Sequence, residues 1–166
     1  GRFLLNENTR SSIENAIREF EASLAEDATF APAHAGLAMA YSDLGNSMLG
    51  ATTDAATGER AMGAARRAIS LDPNLAEAHA ALGRGLMISL RMAEAEAELR
   101  RAVELNPSDV LAQLWLGEWL AIRRRPDEAA VLAQRAGELD PLSSRTMTTT
   151  GFVLGLAGKD ELAAAR

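Results

Sequence analysis

Residues 76–109 read AEAHAALGRGLMISLRMAEAEAELRRAVELNPSD, and the pattern of this stretch comes back along the chain. Its marked positions are Leu82-Gly83, Ala95, Leu99, Ala102, Leu105 and Pro107. Moved on by 34 residues they become Leu116-Gly117, Ala129, Ala133, Ala136, Leu139 and Pro141. Moved back by 34 they give Ala61, Ala68, Leu71 and Pro73, and moved on twice they give Gly151 and Ala163. A fixed period of about 20–50 residues is the mark of stacked repeats.

Each copy predicts a helical hairpin. Small residues at Gly83, Ala95 and Ala102 let two helices approach closely, and Leu82, Leu86 and Leu99 fill the space between them. A glycine in mid-helix costs about 1 kcal/mol against alanine. Gly83, Gly117 and Gly151 at one register therefore predict close helix contacts, with bulk at Gly117 severely destabilising. Pro107 has no N–H to donate and clashes with the preceding turn, so it ends one copy and leads into the next. A single hairpin cannot bury its apolar face alone, so neighbours must stack. The predicted fold class is all-α, a solenoid of antiparallel helix pairs.

This stretch resembles the tetratricopeptide (TPR) repeat family, whose period is about 34 residues. His79 stands at the family's large first position, Leu86 at its Tyr and Leu99 at its Phe/Tyr. The resemblance covers nearly the whole chain and implies a right-handed superhelical solenoid. Residues 1–166 read as a single TPR domain. It comprises a partial first repeat over 1–30, a second with an insertion over 31–75, a third over 76–109, a fourth over 110–143 and a truncated fifth over 144–166.

The second repeat decides its own alignment. Pairing Pro32 with Pro73 puts everything else out of register. Pairing Asp27-Ala28 with Asp72-Pro73 brings His34, Leu37, Ala38 and Tyr41 onto His79, Leu82, Gly83 and Leu86, at a shift of 45. Pro32 then falls in the first turn of a helix, where proline is tolerated. The extra residues fall in Gly45 to Gly58, rich in Asn, Ser, Thr and Gly, which is expected to be mobile, with Thr53 or Asp54 capping the helix that follows. Upstream, Phe3, Leu4 and Leu5 read as a helix end, Thr9 or Ser11 as the start of the next helix, and Ser11 with Glu14 as a capping box.

A narrower resemblance rests on three features. They are the opening Gly1-Arg2-Phe3-Leu4-Leu5-Asn6 followed by Ala16-Ile17-Arg18-Glu19-Phe20, the long second repeat, and Leu139-Asp140-Pro141-Leu142-Ser143. These are similar to the C-terminal TPR arrays of bacterial signalling proteins, whose effectors are winged-helix regulators, class III nucleotide cyclases or Ser/Thr kinases. The resemblance implies a regulatory module. Gly1 opens in mid-pattern without an initiator Met, so the sequence reads as a piece of a longer protein, or as one freed of a tag.

Composition removes several classes of function. The chain is 48% hydrophobic with only 4% aromatic residues, which suits closely packed helices rather than sheets. With no cysteine it has no disulfide framework and no thiolate metal site, which fits a cytoplasmic location. A net charge of −6 argues against a general nucleic-acid surface. No apolar run approaches the roughly 18 residues of a membrane span. No Gly-rich phosphate loop, Cys/His cluster or nucleophile elbow is present, so neither cofactor, metal nor catalysis is expected. His34 and His79 share one repeat position and are expected to pack against the partner helix rather than bind metal. Arg123-Arg124-Arg125 reads as a solvated turn after a helix, because cations favour helix C-termini.

The resemblance also implies a concave groove lined by the first helix of each pair. In that register the groove residues are Met39, Asp43, Arg84, Met87, Ile88, Leu111, Leu114, Trp115, Glu118, Ile122, Thr148 and Phe152. Met39, Met87, Leu111, Leu114, Trp115 and Phe152 form its expected apolar patch, with Arg84 and Glu118 as specificity charges. Family members that hold a peptide carboxylate use Lys and Asn where Ala80, Arg84, Leu114 and Glu118 stand, so that clamp is not expected here. The expected function is a protein–protein interaction module of a bacterial regulator, binding a peptide or domain on this face. The alternatives are self-association of the parent protein, giving a homo-oligomer, or the regulatory part of an enzyme whose catalytic domain lies elsewhere.

Overall fold

The computed structural model of the chain describes residues 4–5, 9–45, 55–156 and 158. Among these there is no strand. The helices are α1 (Arg10–Glu26), α2 (Ala31–Leu44), α3 (Ala55–Leu71), α4 (Ala76–Ile88), α5 (Met92–Leu105), α6 (Val110–Ile122), α7 (Pro126–Leu139) and α8 (Ser144–Leu156). Leu4 and Leu5 are also helical, and Leu5 is buried. Of the insertion, Ala55 to Gly58 belong to α3, and 46–54, with the expected cap at Thr53 or Asp54, lie outside the described residues.

The chain divides into two compact units, Gly1–Leu105 and Asn106–Arg166. In the first, α1 packs on α2, α2 on α3, α3 on α4 and α4 on α5, and α2 also meets α4. Ile13, Ala16, Phe20, Ala33, Leu37 and Ala40 fill the space between α1 and α2. Ala35, Ala68 and Ala78 fill the space where α2, α3 and α4 meet. In the second unit α6 packs on α7, α7 on α8 and α6 on α8.

Two turn types alternate. At the ends of α1, α3 and α5 an Asp or Asn side chain accepts a hydrogen bond from the backbone two residues on. The pairs are Asp27 with Thr29 N at 2.8 Å, Asp72 with Asn74 N at 3.0 Å and Asn106 with Ser108 N at 3.1 Å. This is the Asx turn, which a short polar side chain makes readily. The two bonds from Thr29, the side-chain one foremost, hold the Asp27 carboxyl below the usual carboxylate range. Pro32 and Pro126 sit in first helical turns, as expected.

Within the hairpins the turn is different. Leu90 and Arg124 both have positive φ, 58° and 59°. The N–H of Arg91 reaches Leu86 O, and that of Arg125 reaches Leu120 O, both at 2.9 Å. This is the Schellman closure of a helix C-terminus, which normally places glycine at the left-handed residue. The arginine after each turn forks onto a glutamate. Arg91 Nε and Nη2 meet Glu94 at 2.8 and 2.6 Å, and Arg125 meets Glu128 at 2.6 and 2.8 Å. The Arg91 hydrogen bonds hold the Glu94 carboxyl below its ordinary range.

Two local expectations are corrected. The α1 cap is Thr9 with Ser12, which exchange backbone and side-chain bonds, and not Ser11 with Glu14. Thr9 is the residue in extended conformation, so its hydroxyl faces the free N–H groups. The glycines also differ. A Cβ on Gly83 would lie 2.6 Å from Leu99 Cγ, whereas one on Gly117 would meet nothing nearer than 3.5 Å and one on Gly151 nothing within 4 Å. Only Gly83 of the three is required by a close approach. Gly36 is a tight site the repeat did not mark, with a Cβ there 2.4 Å from the Phe20 ring.

Candidate interaction face

The repeat position of His79 is built first, because it anchors each first helix. His34 Nε2 lies 3.0 Å from Ala28 O, and His79 Nε2 lies 3.0 Å from Pro73 O. Gln113 Nε2 donates to Pro107 O at 2.5 Å. In each case a side chain reaches back to the carbonyl six residues earlier, in the turn. His79 is 8% exposed and also lies 2.7 Å, through Nδ1, from Glu98 Oε2 on α5. The histidines therefore tie turns to helices, and among the described residues no group of three or more His, Cys, Asp or Glu could hold a metal ion.

Met147 stands at this position in the last copy and has no donor. Beside it Thr146 Oγ1 donates to Asp140 Oδ2 at 3.3 Å, and Thr150 Oγ1 to Ala133 O at 3.4 Å. A hollow of about 240 Å³ opens there, lined by Gly137, Asp140, Pro141, Thr146, Met147 and Thr150. The exchange of a donor for Met147 is the sequence signal that could have located it.

The expected groove residues divide by exposure. In the first unit Met39, Arg84 and Ile88 are half-buried, while Asp43 and Met87 are buried. In the second, Leu111 and Glu118 are half-buried and Thr148 is exposed. Ile122 is 49% exposed and Phe152 52%, but Leu114 is 1% and Trp115 4%. An open apolar patch running through Met87, Leu114 and Trp115 is thus corrected. In the second unit α6 packs on both α7 and α8, and little of its circumference is left.

Arg145 of α8 lies over the Trp115 ring, 5.9 Å from its centroid, and Arg123 lies over Trp119 at 5.7 Å. Such contacts contribute about 0.5–1 kcal/mol at exposed sites. They also absorb the basic run: Arg123 covers Trp119, Arg124 makes the left-handed turn and Arg125 forks onto Glu128. Arg84 and Glu118 are each engaged within the chain, so neither is a free charge.

Short turns on either side of α7 make α6 and α8 run in the same direction. Seven residues beyond Trp115 and Arg145, two turns along each helix, stand Ile122 and Phe152. That register sets an apolar pair beyond the covered tryptophan, with Thr148 one turn before Phe152.

No protein-family model and no curated protein matches this chain. Solved structures do. MamA of Desulfovibrio magneticus RS-1, residues 41 to the end, is 21% identical, with a TM-score of 0.60 over 94% of this chain and 82% of that one. TTC0263 of Thermus thermophilus, described as a thermophilic TPR protein, is 20% identical, with a TM-score of 0.65 over 86% and 73%. YrrB, described as "a TPR protein with an unusual peptide-binding site", is 23% identical, with a TM-score of 0.54 over 92% and 73%. At these identities the likeness shows the fold: the chain is all-α and built as a TPR solenoid.

Proposed function

We propose that this chain is a protein–protein interaction module of a bacterial regulatory protein, taking a peptide or a folded domain on the face its first helices present. The observation that carries this is the pair Ile122 and Phe152, half exposed at matched register on two packed helices. Scattered apolar side chains on a surface are ordinary. Two set at one register, with the exposed Thr148 one turn before Phe152, make a strip of the kind that contacts partners. The TPR fold supports the reading, and the peptide-binding site ascribed to YrrB belongs to a chain of the same fold. On this reading the module itself catalyses nothing, and it recognises by shape and apolar contact.

A second reading, self-association, has its own support. Leu142, between α7 and α8, is almost fully exposed, and Val131, on the second helix α7, largely so. One experiment separates the two. Ile122→Asp with Phe152→Asp alters exposed positions, so helicity by circular dichroism should be unchanged. Substitution of Leu114 or Trp115 would test packing instead. Binding and regulated output of the full-length protein should fall with the paired change, while its molar mass by light scattering stays constant. Unaltered binding and output would remove this face from the function, and a changed molar mass would transfer it to self-association.

A further inference from the structure

We infer that the hollow between α7 and α8 receives a lysine side chain of a partner protein, at a place separate from the Ile122 and Phe152 strip and independent of it. Two exchanges in the repeat make the hollow. Ile69 and Leu82 stand at marked places in one copy, and Val103 and Leu116 follow 34 residues on. Leu82 and Leu116 are buried, and Ile69 packs against the core of its own unit. Another 34 residues on, the pair is Gly137 and Thr150. A glycine and a threonine thus replace two larger apolar side chains, and both line the hollow of about 240 Å³. Small-molecule pockets hold about 300–1,000 Å³, so this space suits one side chain better than a cofactor.

The polar groups of the lining decide the chemistry of the occupant. Thr146 and Thr150 are buried, and each commits its hydroxyl proton within the chain. Thr146 Oγ1 donates to Asp140 Oδ2, and Thr150 Oγ1 to Ala133 O. Pro141 has no N–H to offer the Gly137 carbonyl four residues back. At the places matching Asp140, the side chains of Asp27, Asp72 and Asn106 accept from the backbone two residues on. The Asp140 carboxylate accepts from Thr146 instead, at a long 3.3 Å, and a carboxylate has about four acceptor sites. The lining therefore offers acceptors and calls for a donor.

The carboxylate selects a cationic donor, because charge-assisted bonds are the stronger kind. The position agrees: α7 ends at Leu139, and helix C-termini favour cations. The cations of these two helices are placed elsewhere, with Arg145 over the Trp115 ring and Arg135 exposed. Arginine is matched by a carboxylate with both oxygens open to its planar fork, and Thr146 already holds one oxygen of Asp140. Lysine carries a compact charge on a stem of four carbons. Its ammonium suits Asp140, and its methylenes suit Met147 and the Pro141 ring.

The test is a nitrogen-15 NMR titration of the whole chain with Nα-acetyl-lysine methylamide. A Kd of about 1–10 mM is expected for so small a ligand, with saturating shifts at the amides of Gly137, Thr146 and Thr150. The norleucine counterpart lacks the ammonium and should bind roughly tenfold more weakly, as for the loss of one charged hydrogen bond. Asp140→Asn should weaken the lysine probe by a similar factor, and Asn106 at the matching place shows that the turn accepts this residue. Gly137→Val with Thr150→Leu returns the side chains of the preceding copy and should abolish the shifts. Absence of saturating shifts in the parent, equal binding of the norleucine probe, or unchanged binding in Asp140→Asn overturns the proposal. Tighter binding of n-butylamine, which has the stem and the ammonium without a peptide backbone, would make the occupant a free amine and overturn the partner side chain.

Discussion

At the scale of single residues, the two glycines that the repeat treats as equal are physically unequal. A methyl group on Gly83 would sit 2.6 Å from Leu99 Cγ and 3.2 Å from the Leu99 backbone N, and the backbone cannot give way as a flexible side chain can. Overpacking of this kind costs about 1–3 kcal/mol. At Gly117 the same methyl would find Ala129 O and Leu132 Cβ at 3.5 Å and Val153 Cγ1 at 3.6 Å, ordinary contact distances. Removing a mid-helix glycine there gains up to about 1 kcal/mol of helix propensity. Gly83→Ala should thus lower the urea midpoint and Gly117→Ala raise it, and two shifts of the same sign would contradict the geometry. Sequence could mark both positions because the repeat is local in the chain. It could not rank them, because the spacing depends on what faces each one: Leu99 at Gly83, and Ala129, Leu132 and Val153 at Gly117.

At the scale of elements, the hairpin turns hold a reserve of stability. Leu90 occupies the left-handed region at φ 58°, where a side chain costs roughly 1–2 kcal/mol because its Cβ crowds the following carbonyl. Its side chain is largely exposed, so little packing would be lost with it. Glycine there has greater freedom in the unfolded chain, which offsets part of the gain. Leu90→Gly should raise the unfolding free energy by about 0.5–1 kcal/mol, read from chemical denaturation. A fall would show that the Leu90 side chain holds the turn by contacts that outweigh the backbone strain. The helices were legible from the period, and Pro32 and Pro126 were legible as first-turn prolines. The Schellman turns were not, since Leu-Arg and Arg-Arg carry none of the glycine that usually announces them. The α1 capping box carries a related ambiguity. Thr9, Ser11 and Ser12 all offer hydroxyls, and only the backbone of Thr9 turns its own toward the free N–H groups.

At the scale of the whole chain, the repeat register reads the assignment of residues to first-helix faces, but it does not read exposure. The register puts Trp115 on the open face, and Arg145 of another helix covers it. No pattern within α6 carries that information. Burial also sets how each compact unit should behave alone. Residues 1–105 bring the described helices α1 to α5 together, and Ile13, Met62 and Leu99 are fully enclosed among them. Residues 106–166 contribute three described helices and leave Ile122, Val131, Leu142, Met147, Phe152 and Leu156 exposed. A chain of about 60 residues buries only about 60% of its unfolded surface and is marginal by size alone. Expressed separately, residues 1–105 should melt in a single cooperative transition followed by circular dichroism at 222 nm. Residues 106–166 should give a broad, shallow one at the same concentration. An equally sharp melt of the shorter fragment would mean that its three helices close a sufficient core without help, and that its exposed side chains are free for a partner at no cost to its own stability.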